Sequence, residues 1–291
     1  MIIQIDPEVD TFLLDHVVDG SPLLPTVMQL DLVARRLLAQ AAGPGADRPD
    51  GILLRDIRVG RPARFSHPGP RPLYLRYRLD PAARHYELRS PGYGEPHLVA
   101  AAEPAAGPAP RVTAPAGWAE TLRCGPDLVY PPFFHGPVFQ VVGAFGRAGT
   151  GLAAVLAPGL APLSWGHRPT VLQPRLLELL LQCCGLHELA RTGRMMVPAG
   201  LAAVRWYPGS LAREAGIRAV AVVLARPGRA GQDRVFDGDV VTPGGTVLLT
   251  VTGYRATDLG LAADRAHAAR LTRCLDHHHA SVPPARAVTR I

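Results

Sequence analysis

The sequence predicts an α+β fold made of two similar halves, each a helix wrapped by antiparallel strands, and three observations predict it. A Pro/Ala/Gly stretch at residues 103–117, EPAAGPAPRVTAPAG, has little to bury and divides the chain. On each side of it, a helical pattern is followed by strand-like segments. The second helix is apolar nearly all round, which demands burial on every side and therefore a sheet curved around it. Residues 1–102 and 118–259 are expected as the structured units, with 103–117 as linker. Beyond Leu259 the segment 260–291 is rich in Ala, Arg and His and is expected as a disordered tail. The run His277, His278 and His279 within it reads as solvated rather than as a metal site.

In the first half, Pro25 opens PTVMQLDLVARRLLAQAAG, where Val27, Leu30, Val33, Leu37 and Leu38 recur at helical spacing and Gly43 supplies a stop. ILLRDIRV, RPLYLRYRLD and HYELRS follow, rich in β-branched, Leu and Tyr residues, and read as antiparallel strands. In the second half FQVVGAFG and GLAAVLAP read as a hairpin, so the glycines of GAFGRAGTG belong to a turn and not to a phosphate loop. A helix is expected from Pro174 to about Arg191, carrying Leu176, Leu177, Leu179, Leu180 and Leu181. LAAVRWYPG, IRAVAVVLARP and TVLLTVTGY then supply strands, so the order of elements repeats. Asp31 and Glu188 read as solvated helix residues.

With 291 residues, 47% hydrophobic and 19% charged, the chain can bury a sizeable core. No run approaches the roughly 18 apolar residues of a membrane helix, and MIIQIDPEVD lacks the regions of a signal peptide, so a cytoplasmic protein is expected. All 31 basic residues are Arg and no Asn occurs, which excludes a Walker lysine, a Schiff-base lysine and an Asn-linked glycosylation site. Cys124, Cys183, Cys184 and Cys274 lack CxxC spacing and are expected as reduced thiols, with Cys183 and Cys184 as small core residues. The net charge of +7 favours an acidic partner. Scattered arginines and few aromatics argue against nucleic acid.

Chemistry first shows in His16-Val-Val-Asp-Gly20-Ser-Pro-Leu-Leu-Pro25, which fits HxxxGxxxxP. In a chain with 30 Gly and 30 Pro this spacing alone is weak. FFHGPVFQ (residues 133–140) adds a GYxYGPxF-like block, PRLLELLLQ (174–182) an HPxLLDxxxQ-like helix, VPAGLAAVRWYPGS an LPFSWxGVxLHA-like block, and FDGDVVTPGGTVLLTVTGYRATDL a closing strand pair. In this order, over about residues 10–258, the chain resembles the polyketide synthase dehydratases. The resemblance implies a double hot-dog fold, two tandem units each with a curved antiparallel sheet around a central helix. It also implies loss of water from a 3-hydroxyacyl thioester on an acyl carrier protein, in trans, since Met1 stands almost at the first block.

Such a dehydration needs a base for the α-proton, a contact for the thioester carbonyl and an acid for the departing hydroxide. His16 is the expected base, aimed by the turn at Gly20 and the helix start at Pro25. Glu178, where most of the family has Asp, is the expected acid, kept protonated by burial; the alternative is a helix residue paired with Arg175 or Arg205. Gln182, one turn later, would bond that carboxyl group or the substrate hydroxyl. Backbone N–H groups near Gly136 are candidates for the carbonyl. His135 replaces the family's usual Tyr, as a second titrating group or as a wall of the substrate tunnel.

No cofactor is implied beyond the phosphopantetheine arm of the carrier protein. The expected partner is that acidic carrier or a synthase, bound through Arg55, Arg58, Arg61 and Arg64, with neither nucleic acid nor membrane. Hot-dog proteins commonly pair, so a homodimer is a further expectation. A double-bond isomerase, an oxa-Michael (pyran-forming) cyclase and a non-catalytic acyl-binding subunit are the alternatives on this scaffold.

Overall fold

Alternation of buried and exposed side chains turns most strand-like segments into one antiparallel sheet. The structure, a computed structural model, describes residues 2–41, 49–65, 73–80, 84–92, 94–112, 118–208, 218–226 and 234–277. In the first half these form β1 (Ile2–Ile5), the short pair β2 (Val17–Val18) and β3 (Ser21–Pro22), helix α1 (Thr26–Ala41), β4 (Gly51–Val59), β5 (Leu73–Asp80), β6 (His85–Arg89) and β7 (Leu98–Ala105). The second half has β8 (Val142–Ala148), β9 (Gly151–Leu156), the short pair β10 (Ser164–Trp165) and β11 (Arg168–Pro169), and helix α2 (Pro174–Thr192). Strands β12 (Arg194–Trp206), β13 (Val220–Ala225), β14 (Val235–Val241), β15 (Val247–Ala262) and helix α3 (Arg265–His277) follow.

Among the described residues the main sheet has eleven strands in the order β1-β5-β6-β7-β4-β12-β15-β14-β13-β9-β8. The halves meet where β4 and β12 pair antiparallel, from Gly200 opposite Arg58 to Trp206 opposite Ile52. This is the two-unit arrangement expected of a double hot-dog. α1 buries Val27, Leu30, Val33 and Leu37, and Pro25 starts it by offering its carbonyl to the N–H groups of Met28 and Gln29. α2 is buried from Pro174 through Leu186, the all-round burial that its leucines demand. Gly193, at φ +70°, ends it in the left-handed conformation and donates to the Leu189 carbonyl at 2.8 Å.

Several expectations are corrected. The segment expected as a tail holds the end of β15 and helix α3, whose Leu271 and Leu275 are buried; residues 278–291 lie outside the described part. Cys124 and Cys274 are not reduced thiols but a disulfide, with Cα atoms 5.9 Å apart, tying α3 to the second half. Cys183 and Cys184 are buried and free. The segment expected as linker begins inside β7, with Ala105 opposite Gly51, and Val112 donates to Gly245; residues 113–117 lie outside the described part.

Asp31 and Glu188 are buried rather than solvated. Glu188 pairs with Arg191 at 2.5 Å and with His187 at 3.2 Å. Asp31 accepts the Trp165 indole N–H at 2.8 Å and the backbone N–H groups of Val171 and Leu172 at 2.8 and 2.7 Å. It thereby ties α1 of the first half to the entry of α2 in the second. Asp31→Ala leaves two buried donors and the half-buried Val171 N–H without their acceptor, each buried one worth about 1–3 kcal/mol, so a loss near 3 kcal/mol is expected by chemical denaturation. A loss under about 1 kcal/mol would mean that water replaces the carboxylate.

Candidate active site

His16 is placed by a hairpin. Its neighbours Val17 and Val18 pair with Pro22 and Ser21 across the two-residue turn Asp19-Gly20, where both residues have positive φ (49° and 72°). One position further out, His16 and Leu23 face each other: Leu23 N–H donates to the His16 carbonyl at 2.9 Å, and His16 Nδ1 lies 3.0 Å from the Leu23 carbonyl. A carbonyl only accepts, so Nδ1 carries the hydrogen and Nε2 keeps its lone pair for a substrate proton. The imidazole packs edge-on against Phe134 and Phe139, with ring centroids at 5.0 and 5.8 Å. Burial, with His135 as a second cause and Glu178 opposing, pulls its pKa down to about 4. His16 is therefore neutral at physiological pH.

The loop of the second half reaches the same place because Gly136 allows it. A Cβ there would lie 2.3 Å from Asp15 Oδ1, and the Gly136 N–H donates to the Asp15 carbonyl at 2.8 Å. Asp15 Oδ2 also accepts the Val138 N–H at 3.2 Å. Of the backbone N–H groups near Gly136, those of Gly136 and Val138 are thus already taken by Asp15. Asp15, immediately before His16, clamps the two halves together, and its position beside the His motif was the one signal that could have revealed it.

Glu178 comes from the middle of α2. His135 Nε2 lies 3.1 Å from its Oε1, and Gln182 Nε2 donates to the same oxygen at 2.8 Å. Oε2 has no partner among the described residues. Gln182 also donates to the Phe139 carbonyl at 2.8 Å and accepts the Tyr130 hydroxyl at 3.1 Å, while that hydroxyl accepts the Val142 N–H at 2.7 Å. Its amide is therefore committed to holding the carboxyl group and is not free for a substrate hydroxyl. Arg175 and Arg205 donate to the Val138 and Ala106 carbonyls, and Glu178 is held by His135 and Gln182.

This pairing corrects the expected ionisation of Glu178. Burial pushes the carboxyl group upward, but the His135 hydrogen bond and charge, His16 and the Gln182 amide outweigh it, and the net direction is down. Glu178 therefore rests as a carboxylate.

His16, His135, Glu178 and Gln182 line one cavity of about 460 Å³, with Tyr254 and Met196 among its walls. Gly20 and Pro25 do not line it; they act through the hairpin and the helix start. The cavity is largely apolar with polar groups converging at one place, the usual form of a small-molecule site.

Residues 102–266 match the family model of the polyketide synthase dehydratase N-terminal domain. No curated protein matches the chain in sequence. Among solved structures, it is similar to a trans-AT PKS dehydratase domain from Brevibacillus brevis, with TM-score 0.67 and 21% identity over 89% of this chain and 93% of that one. The dehydratase domain of PpsC from Mycobacterium tuberculosis, in complex with C12:1-CoA, gives TM-score 0.63 and 21% identity over 89% and 92%. A trans-acyltransferase polyketide synthase enoyl-isomerase gives 0.66 and 13% over 88% and 98%. At these identities the likeness shows the fold, a double hot-dog.

Proposed function

The chain belongs to the polyketide synthase dehydratase family, and from that premise we propose that it removes water from a 3-hydroxyacyl group held as a thioester on an acyl carrier protein. The observation that carries this reading is that a neutral His16, from the first half, and the His135–Glu178 pair, from the second, line one cavity. A relative with the same fold was solved with an acyl-CoA, which also presents a thioester.

His16 Nε2 takes the proton from C2 of the acyl chain, and the C2–H electron pair becomes the C2–C3 π bond. The C3–O bond breaks with its pair on oxygen, and one proton from the His135–Glu178 pair completes the water. The enoyl thioester remains, His16 is protonated and the pair has lost a proton, so charge and atoms balance. Return of one proton from His16 to the pair, through water, resets the site.

The direct test is mass spectrometry of a 3-hydroxyacyl carrier protein incubated with the protein. Loss of one water supports the reading. An enoyl carrier protein whose double bond moves with no change in mass would point to an isomerase, the activity for which one structural relative is named.

The carrier protein would approach where the cavity opens, at the exposed residues Arg61 and Arg64 that line it. Arg55, which pairs with Glu103 at 3.1 Å, does not line the cavity. Exposed charge pairs are worth only ~0.2–1 kcal/mol each and are screened beyond roughly 8 Å at physiological salt. Binding measured by calorimetry is therefore expected to weaken as salt rises, and to fall roughly tenfold when Arg61 and Arg64 are both changed to Glu. An affinity indifferent to salt and to both reversals would move the docking surface elsewhere.

A further inference from the structure

His135 stands where the family's usual residue is Tyr, and it makes a contact that a wall of the tunnel would not need. Its Nε2 lies on Glu178 Oε1, while its Nδ1 is buried with no partner among the described residues. Phe134 stacks on the ring with centroids 4.5 Å apart, and His16 sits edge-on at 5.4 Å, so the imidazole is held in place. Two donors, His135 Nε2 and Gln182 Nε2, converge on Oε1, which leaves Oε2 as the oxygen open to a substrate.

Resting on the dehydratase reading, we propose that His135 is a positioning residue for the acid: its Nε2 holds the Glu178 carboxyl group beside the substrate and stores the proton that the carboxyl group passes to the leaving hydroxide. A buried carboxylate with one oxygen unpartnered is poorly solvated, and a neighbouring imidazolium offsets that cost. The cation is supported on one side only, because a protonated Nδ1 finds no acceptor. The proton is therefore stored without being trapped. In the transfer the Nε2–H bond breaks with its electron pair left on nitrogen as Oε1 takes the proton; the carboxyl group turns to present that O–H, which breaks with its pair left on Oε1 as the new O–H bond completes the water.

The groups that face this pair are His16 from the first half, Tyr130 ahead of the loop, Tyr254 on β15, and Gln182 on α2. Of these only His16 changes charge near neutrality or below, and it is neutral above about pH 4. In the variants the His135 charge that helps to lower His16 is gone, so the His16 imidazole is followed in the same titrations and its upward shift is read apart from that of the carboxyl group.

The test follows the Glu178 carboxyl group by carbon-13 NMR titration, and kcat/KM against pH, in the wild type, in His135→Gln and in His135→Phe. In the wild type the carboxyl group is expected to titrate well below the alkaline limb of the rate profile, because the working proton sits on His135. In His135→Gln, which keeps a donor but cannot hold the proton, the carboxyl midpoint is expected to rise by at least one pH unit and to coincide with the alkaline limb. His135→Phe, which loses the donor as well, is expected to show the same rise with kcat lowered more than tenfold and KM changed less than threefold. A carboxyl midpoint that stays put in both variants, or one that coincides with the alkaline limb in the wild type, overturns the proposal. The NMR shift is read without turnover: a wild type that dehydrates no substrate while the midpoint still moves would refute the dehydratase reading and leave the His135–Glu178 coupling standing.

Discussion

His16→Ala is expected to lower kcat/KM for dehydration by ~10²- to 10⁴-fold, the usual worth of a general base, while the protein stays folded. The imidazole has one hydrogen bond, from Nδ1 to the Leu23 carbonyl. The backbone bond from Leu23 N–H to the His16 carbonyl survives the substitution and keeps the hairpin in register. The wild-type pH profile gives a second check. Because burial and His135 bring His16 down to about 4, the base is protonated and idle below that pH and neutral above it. Activity is therefore expected to rise with pH through about 4 and not through the ordinary histidine value of 6.5. Near wild-type turnover in His16→Ala, measured on a substrate that the wild type dehydrates, would remove the residue from the reaction.

What could be read in the sequence was whatever rests on local pattern. The all-round leucines of α2 implied a wrapping sheet, since a helix apolar on every face has no other stable surroundings. The spacing from His16 to Gly20 and Pro25 marked a tight turn and a helix start because those depend on adjacent residues. Elements that depend on distant partners were misread. Asp31 looks like a solvated helix residue until Trp165, Val171 and Leu172, more than 130 positions away, are seen to donate to it. α3 hides in an Ala/Arg/His composition because it needs little apolar surface: Leu271, Leu275 and the bond from Cys274 to Cys124 hold it. Its partner cysteine is 150 residues away, beyond any spacing rule.

The site divides in the same way. Its base, its carboxyl group and Gln182 could be named from motifs, since each motif is local. The state of the carboxyl group could not, because burial and ion pairing push in opposite directions and only the position of His135 decides between them. The Gly136 N–H shows the same limit: its glycine was legible, but the acceptor that takes it, Asp15, comes from the other half of the fold.

Glu178→Gln is expected to lower dehydration by ~10²- to 10⁴-fold, as removal of a general acid does. The substitution is close to isosteric. The amide oxygen can still accept from Gln182, 2.8 Å from Oε1, and from His135, 3.1 Å from it, so packing in the cavity is kept. What is lost is the oxygen that relays a proton, since an amide NH2 does not release one at working pH. Glu178→Asp, which introduces the family's commoner residue, keeps the acid but withdraws it by one methylene from both donors. It is expected to recover part of the activity, between the Gln variant and the wild type. Single-turnover conversion of a 3-hydroxyacyl carrier protein, with thermal unfolding to confirm that both variants fold, measures the order. A Gln variant as fast as the wild type would show that no proton passes through position 178, and would favour chemistry on this scaffold that moves a double bond without expelling hydroxide.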